Sequence, residues 1–188
     1  MQIVILASGS GSLAQAIFDA QKSGELDLTI LALISDKDSQ VLERASMSGV
    51  PTKYLPMLED RKSWNSELLN FVSDLDPDLV VSVGFMRVLA EEFVEKFQTI
   101  NTHPALLPNF PGAHGVRDAI AAGVKKTGAT VHWVDAGIDT GKVIAQQDVD
   151  VLPEDDEASL HERIKIVERA LIVETLKSFI ANGIPGRI

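Results

Sequence analysis

Asn101-Thr102-His103-Pro104 sets an amide donor and an imidazole two residues apart at what reads as a strand end. Alternate side chains of an extended chain project to one face, so Asn101 and His103 point together. An amide beside an imidazole suits the stabilisation of a developing oxyanion, and a neighbouring carboxylate would raise the imidazole pKa and favour its charged form. Asp139 is the candidate carboxylate, inside the glycine-rich turn Asp135-Ala136-Gly137-Ile138-Asp139-Thr140-Gly141. Between the two lies a loop rich in proline and glycine, Pro104 to Gly115, which carries Pro111-Gly112-Ala113-His114. His103, His114 and Asp139 could be imagined around a metal, but neither their spacing nor any supporting ligand argues for one, so no metal is expected.

A second stretch suited to chemistry stands near the start, Ile5-Leu6-Ala7-Ser8-Gly9-Ser10-Gly11-Ser12-Leu13-Ala14. A helix N-terminus offers unpaired N–H groups and a partial positive charge, and glycines let the backbone approach an anion. Gly11, Ser12 and Leu13 are therefore the expected anion seat. The same stretch fits the G-x-G-x-x-G/A dinucleotide fingerprint, which calls for an acidic residue after the second strand. Asp36 stands a little later than that fingerprint places it, in an Asp-Lys-Asp turn that also reads as plain solvated surface. The loop alone leaves both a dinucleotide and a single phosphate open.

The elements that must position these residues alternate along the chain. Gln2 to Ala7, Leu28 to Ser35, Thr52 to Leu55 and Leu79 to Val83 read as strands, three of them continuous apolar runs. Ser12 to Lys22, Val41 to Ser48 and Arg61 to Leu75 read as the helices between them. Further on, Ala90 to Phe97 reads as helix, Thr99 to Asn101 as a strand end and Val116 to Ala122 as a short helix. Ala129 to Val134 and Lys142 to Asp150 read as an antiparallel strand pair. A long helix follows from Glu157 to Asn182, capped by Gly183 and stopped by Pro185. The expectation is an α/β fold: one domain over 1–188, a doubly wound, Rossmann-like, mostly parallel sheet with an antiparallel pair in its C-terminal half. In such sheets ligands bind at the carboxyl ends of the strands, where Asn101 and His103 fall.

Composition narrows the partners. Lys and Arg number 17 against 27 Asp and Glu, a net charge of −10, which disfavours nucleic acid over most of the surface. There is no cysteine, hence no disulfide framework and no thiolate nucleophile. No apolar run approaches the ~20 residues of a membrane span, and residues 2–7 lack the basic lead of a signal peptide, so a cytoplasmic protein is expected.

At Asn101-x-His103-Pro104, Leu106-Leu107-Pro108 and the Asp139 turn, the chain resembles the folate-dependent formyltransferases. Ser8-Gly9-x-Gly11-Ser12, Gly84-Phe85-Met86-Arg87-Val88-Leu89 and Pro111-Gly112-x-His114 extend the resemblance over nearly the whole chain. The first and last of these favour the branch whose acceptor is the amine of 5'-phosphoribosylglycinamide (GAR). The resemblance implies formyl transfer from 10-formyltetrahydrofolate, with Asn101, a protonated His103 and Asp139 as the catalytic trio and no metal. It implies that residues 1–84 form the phosphate- and GAR-binding half and 85–188 the folate-binding and catalytic half. Gly11, Ser12, Leu13, Pro104 and Glu168 would meet GAR. Arg61, Met86, Arg87, Val88, Leu89, Val94, Val134, Gly137 and Ile138 would meet the folate. Many members of the family carry asparagine where this chain has Leu13, so the backbone N–H would serve there.

Without the resemblance, Arg61 and Glu168 read as solvated helix residues and His161 as an exposed one. His132 reads as core or as a support to the trio, His114 as a residue of the closing loop, and Met57 and Trp64 as packing. A 10-formyltetrahydrofolate hydrolase shares the trio, but such enzymes are expected to carry a further N-terminal domain, and the transfer-RNA members a further C-terminal one. A nicotinamide oxidoreductase or a nucleotide-binding module would account only for the N-terminal half.

Overall fold

Residues 3–6 show why the chain forms a buried sheet: all four are apolar, and none is exposed. Ile3 and Ile5 join one apolar cluster, while Val4 and Leu6 join another, because neighbouring strand residues face opposite sides. This is strand β1 (Gln2–Leu6) of a computed structural model that describes residues 1–186. The elements that follow are α1 (Ser12–Lys22), β2 (Thr29–Ser35), α2 (Gln40–Met47), β3 (Thr52–Tyr54), α3 (Arg61–Leu75), β4 (Leu79–Ser82) and α4 (Glu91–Lys96). Then come β5 (Thr99–His103), α5 (Gly115–Ala121), β6 (Lys126–Trp133), β7 (Val143–Asp150) and α6 (Glu157–Asn182).

The seven strands form one sheet in the order β3-β2-β1-β4-β5-β6-β7. Pairing is parallel from β3 to β5 and antiparallel from β5 through β7. The expected doubly wound α/β fold with an antiparallel pair is what the chain adopts. Helices cover both faces. Ile17 and Phe18 of α1 and Ile172, Leu176 and Phe179 of α6 pack on the side of Ile3 and Ile5. Trp64, Leu68 and Val72 of α3 and Phe93 of α4 pack on the side of Val4 and Leu6. The capping signals operate as the residues suggest: the Asp60 carboxylate accepts from the Ser63 N–H at 2.9 Å, and Asp156 and Ser159 form a capping box.

Two boundaries differ from expectation by more than one residue, for one reason. β5 runs on to His103 instead of stopping at Asn101, because Thr102 and His103 pair with Val131 and Thr130. β6 starts at Lys126, ahead of the expected Ala129, because Lys126, Thr127 and Gly128 pair with the far end of β7. Cross-strand partners set both ends, and no local residue announces them. Among the described residues, no helix is long and apolar enough to cross a membrane.

The strand order reverses at β1, which lies between β2 and β4. Their outgoing loops, together with that of β5, open at one end of the sheet, the crevice where doubly wound folds bind ligands.

Candidate active site

A cavity of about 590 Å³ opens at that crevice, floored by the ends of β4 and β5 and walled by the loops after β1 and β4, residues 112–116, the 134–139 turn and α6. Asn101 and His103 both face it, as their two-residue spacing requires.

Asn101 is oriented by its neighbours. Its Oδ1 accepts from the Ser82 hydroxyl at 2.7 Å, and its Nδ2 lies 3.3 Å from His132 Nε2. An amide nitrogen carries two donors, so one N–H remains for a ligand oxygen. His132, buried and directly opposite Asn101 on β6, donates from Nδ1 to the Trp133 carbonyl at 2.8 Å. Its Nε2 therefore faces both Asn101 and Asp139 Oδ1, the latter at 3.4 Å.

His103 is 3% exposed. Its Nε2 donates to the Phe110 carbonyl at 2.7 Å, and its Nδ1 lies 3.4 Å from Asp139 Oδ2. Burial pushes the imidazole below its ordinary value, and this outweighs the raising influence of Asp139 and of the Phe110 carbonyl. The expectation of a charged imidazole is corrected for the free protein: the carboxylate is present, but desolvation wins. The neutral ring keeps its proton on Nε2, because a carbonyl only accepts, so His103 remains a donor without a charge.

Asp139 has a left-handed backbone, with φ 53°. Desolvation raises its pKa, but the two adjacent imidazoles and a hydrogen bond from the Gly112 N–H (2.7 Å) leave it below the usual carboxylate value. His132 thus joins the three expected residues in space, with the Asp139 carboxylate between two histidines. Among the described residues no group of His, Asp and Glu is arranged to hold a metal ion.

The anion-suited loop leads off one wall. Gly11 has φ 78° and opens α1, and a methyl added there would collide with Val41 of α2. Arg44, one turn further along α2, donates from Nε to the Ser10 carbonyl at 2.9 Å. Gly11, Ser12 and Leu13 line the cavity at the helix N-terminus, an arrangement suited to an anion. Ser8 and Asp36 correct the dinucleotide alternative and the solvated-turn reading together. The Asp36 side chain has no exposure, accepts from Ser8 Oγ at 2.5 Å and from Arg87 Nε at 2.6 Å, and so is not presented to a ribose.

On the opposite wall Met86, Val88 and Ile138 are exposed apolar side chains, 58%, 52% and 57% respectively, at a cavity mouth shared with Leu89, Val134 and Gly137. Such a rim suits a flat ring system. Arg87 lines the cavity while paired to Asp36, and Pro104 lines it beside His103. Arg61 does not line it: the guanidinium hydrogen-bonds the Val88 carbonyl and Asn65 and lies over the Trp64 ring, so it braces the 86–89 segment from behind. Val94 is also elsewhere, 3% exposed in the cluster with Phe93 and Phe97. Trp64 is packing, as expected.

The third wall is α6, and here reading the residues alone fell short. Glu168 is 3% exposed and lines the cavity, and burial pushes its carboxyl up to about 7. His161 is half-buried in the same wall rather than exposed, and burial lowers its pKa, aided by Lys165. Glu157, His161, Lys165 and Glu168 are spaced by four, four and three residues. That is a polar stripe along one helical face, and it was legible in the sequence. His114 lines the cavity from the exposed N-terminal end of α5.

A donor pair, a charged carboxylate, an anion seat and an apolar rim thus share one cavity. The sequence model of the formyl transferase family matches residues 1–176. The phosphoribosylglycinamide formyltransferase of Mycobacterium tuberculosis is 46% identical over 187 residues, which cover 97% of this chain and 86% of that protein. The Escherichia coli protein of the same name is 38% identical over 188 residues, covering 97% and 88%. In three dimensions, glycinamide ribonucleotide transformylase 1 from Symbiobacterium toebii matches with a TM-score of 0.94 at 35% identity, over 100% of this chain and 92% of that one. A match of this extent, on a fold whose strand ends bring Asn101, His103 and Asp139 together, shows that the chain belongs to the formyl transferase family.

Proposed function

We propose that this protein transfers the formyl group of 10-formyltetrahydrofolate to the primary amine of GAR, a step of purine biosynthesis, in the cytoplasm. The observation that carries the reading is the convergence of Asn101 Nδ2, His103 Nε2 and the Asp139 carboxylate in a cavity with an anion-suited helix terminus on one side and an apolar rim on the other. The reading divides the chain at about residue 84 into a half that seats GAR and a half that seats the folate.

The formyl group is amide-like, so amine attack builds negative charge on its oxygen. The free N–H of Asn101 is the donor for that oxygen, and the Nε2–H of His103 joins it by turning from the Phe110 carbonyl to the ligand. As the charge develops, the proton lost by the amine is held on His103 Nδ1, where Asp139 lies 3.4 Å away to stabilise the cation, until it passes to the departing folate nitrogen. The amine loses a proton, and the departing folate nitrogen gains one. Asp139 and a water serve that relay, so no covalent enzyme intermediate is needed.

The GAR phosphate sits on the N–H groups of Gly11, Ser12 and Leu13. Leu13 brings no side-chain donor, so the backbone and Ser12 do the work. Pro104 borders the GAR side, and Glu168 meets its ribose or glycinamide part. Met86, Arg87, Val88, Leu89, Val134, Gly137 and Ile138 enclose the folate ring, with Arg61 in support behind Val88.

The test mixes protein, 10-formyltetrahydrofolate and GAR and follows tetrahydrofolate. Release that depends on GAR is the expected result. Release without GAR would mark a hydrolase, and no release with GAR present sinks the proposal.

A further inference from the structure

Ser8 is the residue between the end of β1 and the anion-suited loop, and it is 3% exposed. Its hydroxyl serves two other loops at once. It donates to Asp36 Oδ1 at 2.5 Å, in the turn after β2, and accepts from the Met86 N–H at 2.9 Å, in the segment after β4. Asp36 returns to that same segment through Arg87, whose Nε donates to Oδ2 at 2.6 Å. The Ser8 N–H adds a fourth bond, to the Gly84 carbonyl at 3.1 Å. Three loops from three adjacent strands, β2, β1 and β4, are thereby closed into a ring around one buried carboxylate.

Such a carboxylate is costly to bury unless it is paired, so its two oxygens hold their partners firmly. The residues just beyond the ring are the two walls of the cavity: Gly9 to Leu13 on one side, Met86 to Leu89 on the other. Met86 and Val88 expose most of their apolar surface and have little packing of their own to order them.

We infer that Ser8 and Asp36 are positioning residues that couple the two walls, so that an anion held at residues 11–13 pre-orders the 86–89 segment and tightens the ligand there. The identity of the two ligands rests on the proposed function. Fixing the loop fixes the Ser8 hydroxyl. The hydroxyl then fixes the Met86 N–H, and through Asp36 the Arg87 side chain. The second ligand meets a segment already ordered and forfeits less entropy in binding. Linkage requires the same factor in the opposite direction.

The experiment is an equilibrium titration with GAR and tetrahydrofolate, a pair that cannot react because neither carries a formyl group. The Kd of each is measured alone and with the other saturating. Wild type is expected to show mutual tightening of about 5-fold or more, equal in both directions. Ser8→Ala removes the shared hydroxyl without touching a charge, and its factor should fall to near unity. Asp36→Asn keeps an acceptor for Ser8 but loses the charge that holds Arg87, so its factor should lie between the two. That graded order is what distinguishes a link from general loosening, which would weaken each ligand alone and leave the factor unchanged. A wild-type factor in Ser8→Ala, or a wild type that binds both ligands independently, overturns the link and leaves the proposed function standing. A wild type that binds neither ligand overturns both.

Discussion

At the scale of single residues, the site works by giving each polar atom a fixed neighbour and leaving a few donors spare. Asn101 spends its oxygen on Ser82 and one N–H on His132, so what remains is aimed. Asn101→Ala should therefore lower kcat by about 10²–10³, the usual loss for an oxyanion donor, with little change in the KM for GAR. Steady-state kinetics check it, and an unchanged kcat would remove Asn101 from the mechanism. Asp139 raises the His103 pKa against the pull of burial. Asp139→Asn should then move the His103 limb of the kcat/KM profile to lower pH as well as reduce the rate. A profile of the same shape would show that the pair does not interact. The donor pair and the carboxylate were legible as residue types at telling spacings. The neutral state of His103 was not, because it depends on desolvation and on a backbone oxygen at Phe110 that leaves no mark in the side-chain sequence.

Elements supply the geometry, and their interactions explain which predictions from periodicity held. Continuous apolar runs marked β1, β2 and β4, and the interspersed helical patterns marked α1 to α3 almost to the residue. The end of β5 and the start of β6 came from cross-strand pairing, which a local pattern does not contain. Arg61 and Val94 show the same limit: both lie on helices that contribute no residue to the cavity wall, with Arg61 set over Trp64 and Val94 in the core. The α1 terminus depends on its contact with α2. Gly11→Ala would add a methyl against Val41 at a left-handed φ of 78°. It should destabilise the protein by roughly 1–2 kcal/mol from the backbone conformation alone. It should also raise the KM for GAR more than that for the folate. Denaturant melts and the two KM values test this; equal rises would mean the loop does not seat GAR.

For the whole molecule, the cavity draws on global stability through its buried ionisable groups. Glu168 has a folded pKa of about 7, above its ordinary 4.5. Its contribution is complete below the unfolded value and is lost as pH rises through about 7, because the unfolded chain then ionises more readily. His103 runs the other way: its folded value is depressed, so stability falls as pH drops through the histidine range. Glu168→Gln isolates the first effect, since the His103 contribution cancels between the two proteins. The variant should match wild type near pH 3 and exceed it by about 3 kcal/mol above pH 8, from 1.36 kcal/mol per pKa unit. Chemical denaturation across pH measures the difference; a constant offset would show that the carboxyl is not strained by burial. The buried state of Glu168 escaped residue-by-residue reading because glutamate on a helix is usually solvated. Only the stripe it forms with Glu157, His161 and Lys165 marked it.

The hold that α2 has on the loop from Gly9 to Ser12 bears on how such loops are found and moved. Val41 forbids a side chain at Gly11, and Arg44 tethers the Ser10 oxygen. A planar trans peptide carries its C=O and N–H on opposite sides, so that tether turns the Gly11 N–H away from α2. The instruction for the loop's shape is therefore written some thirty residues downstream of the glycines themselves. Grafted onto another strand–turn–helix scaffold, the short glycine-serine string would arrive without its template. A search for anion-suited loops of this shape should require an aliphatic residue and an arginine three apart on the next helix, as Val41 and Arg44 are here, and not the glycines alone.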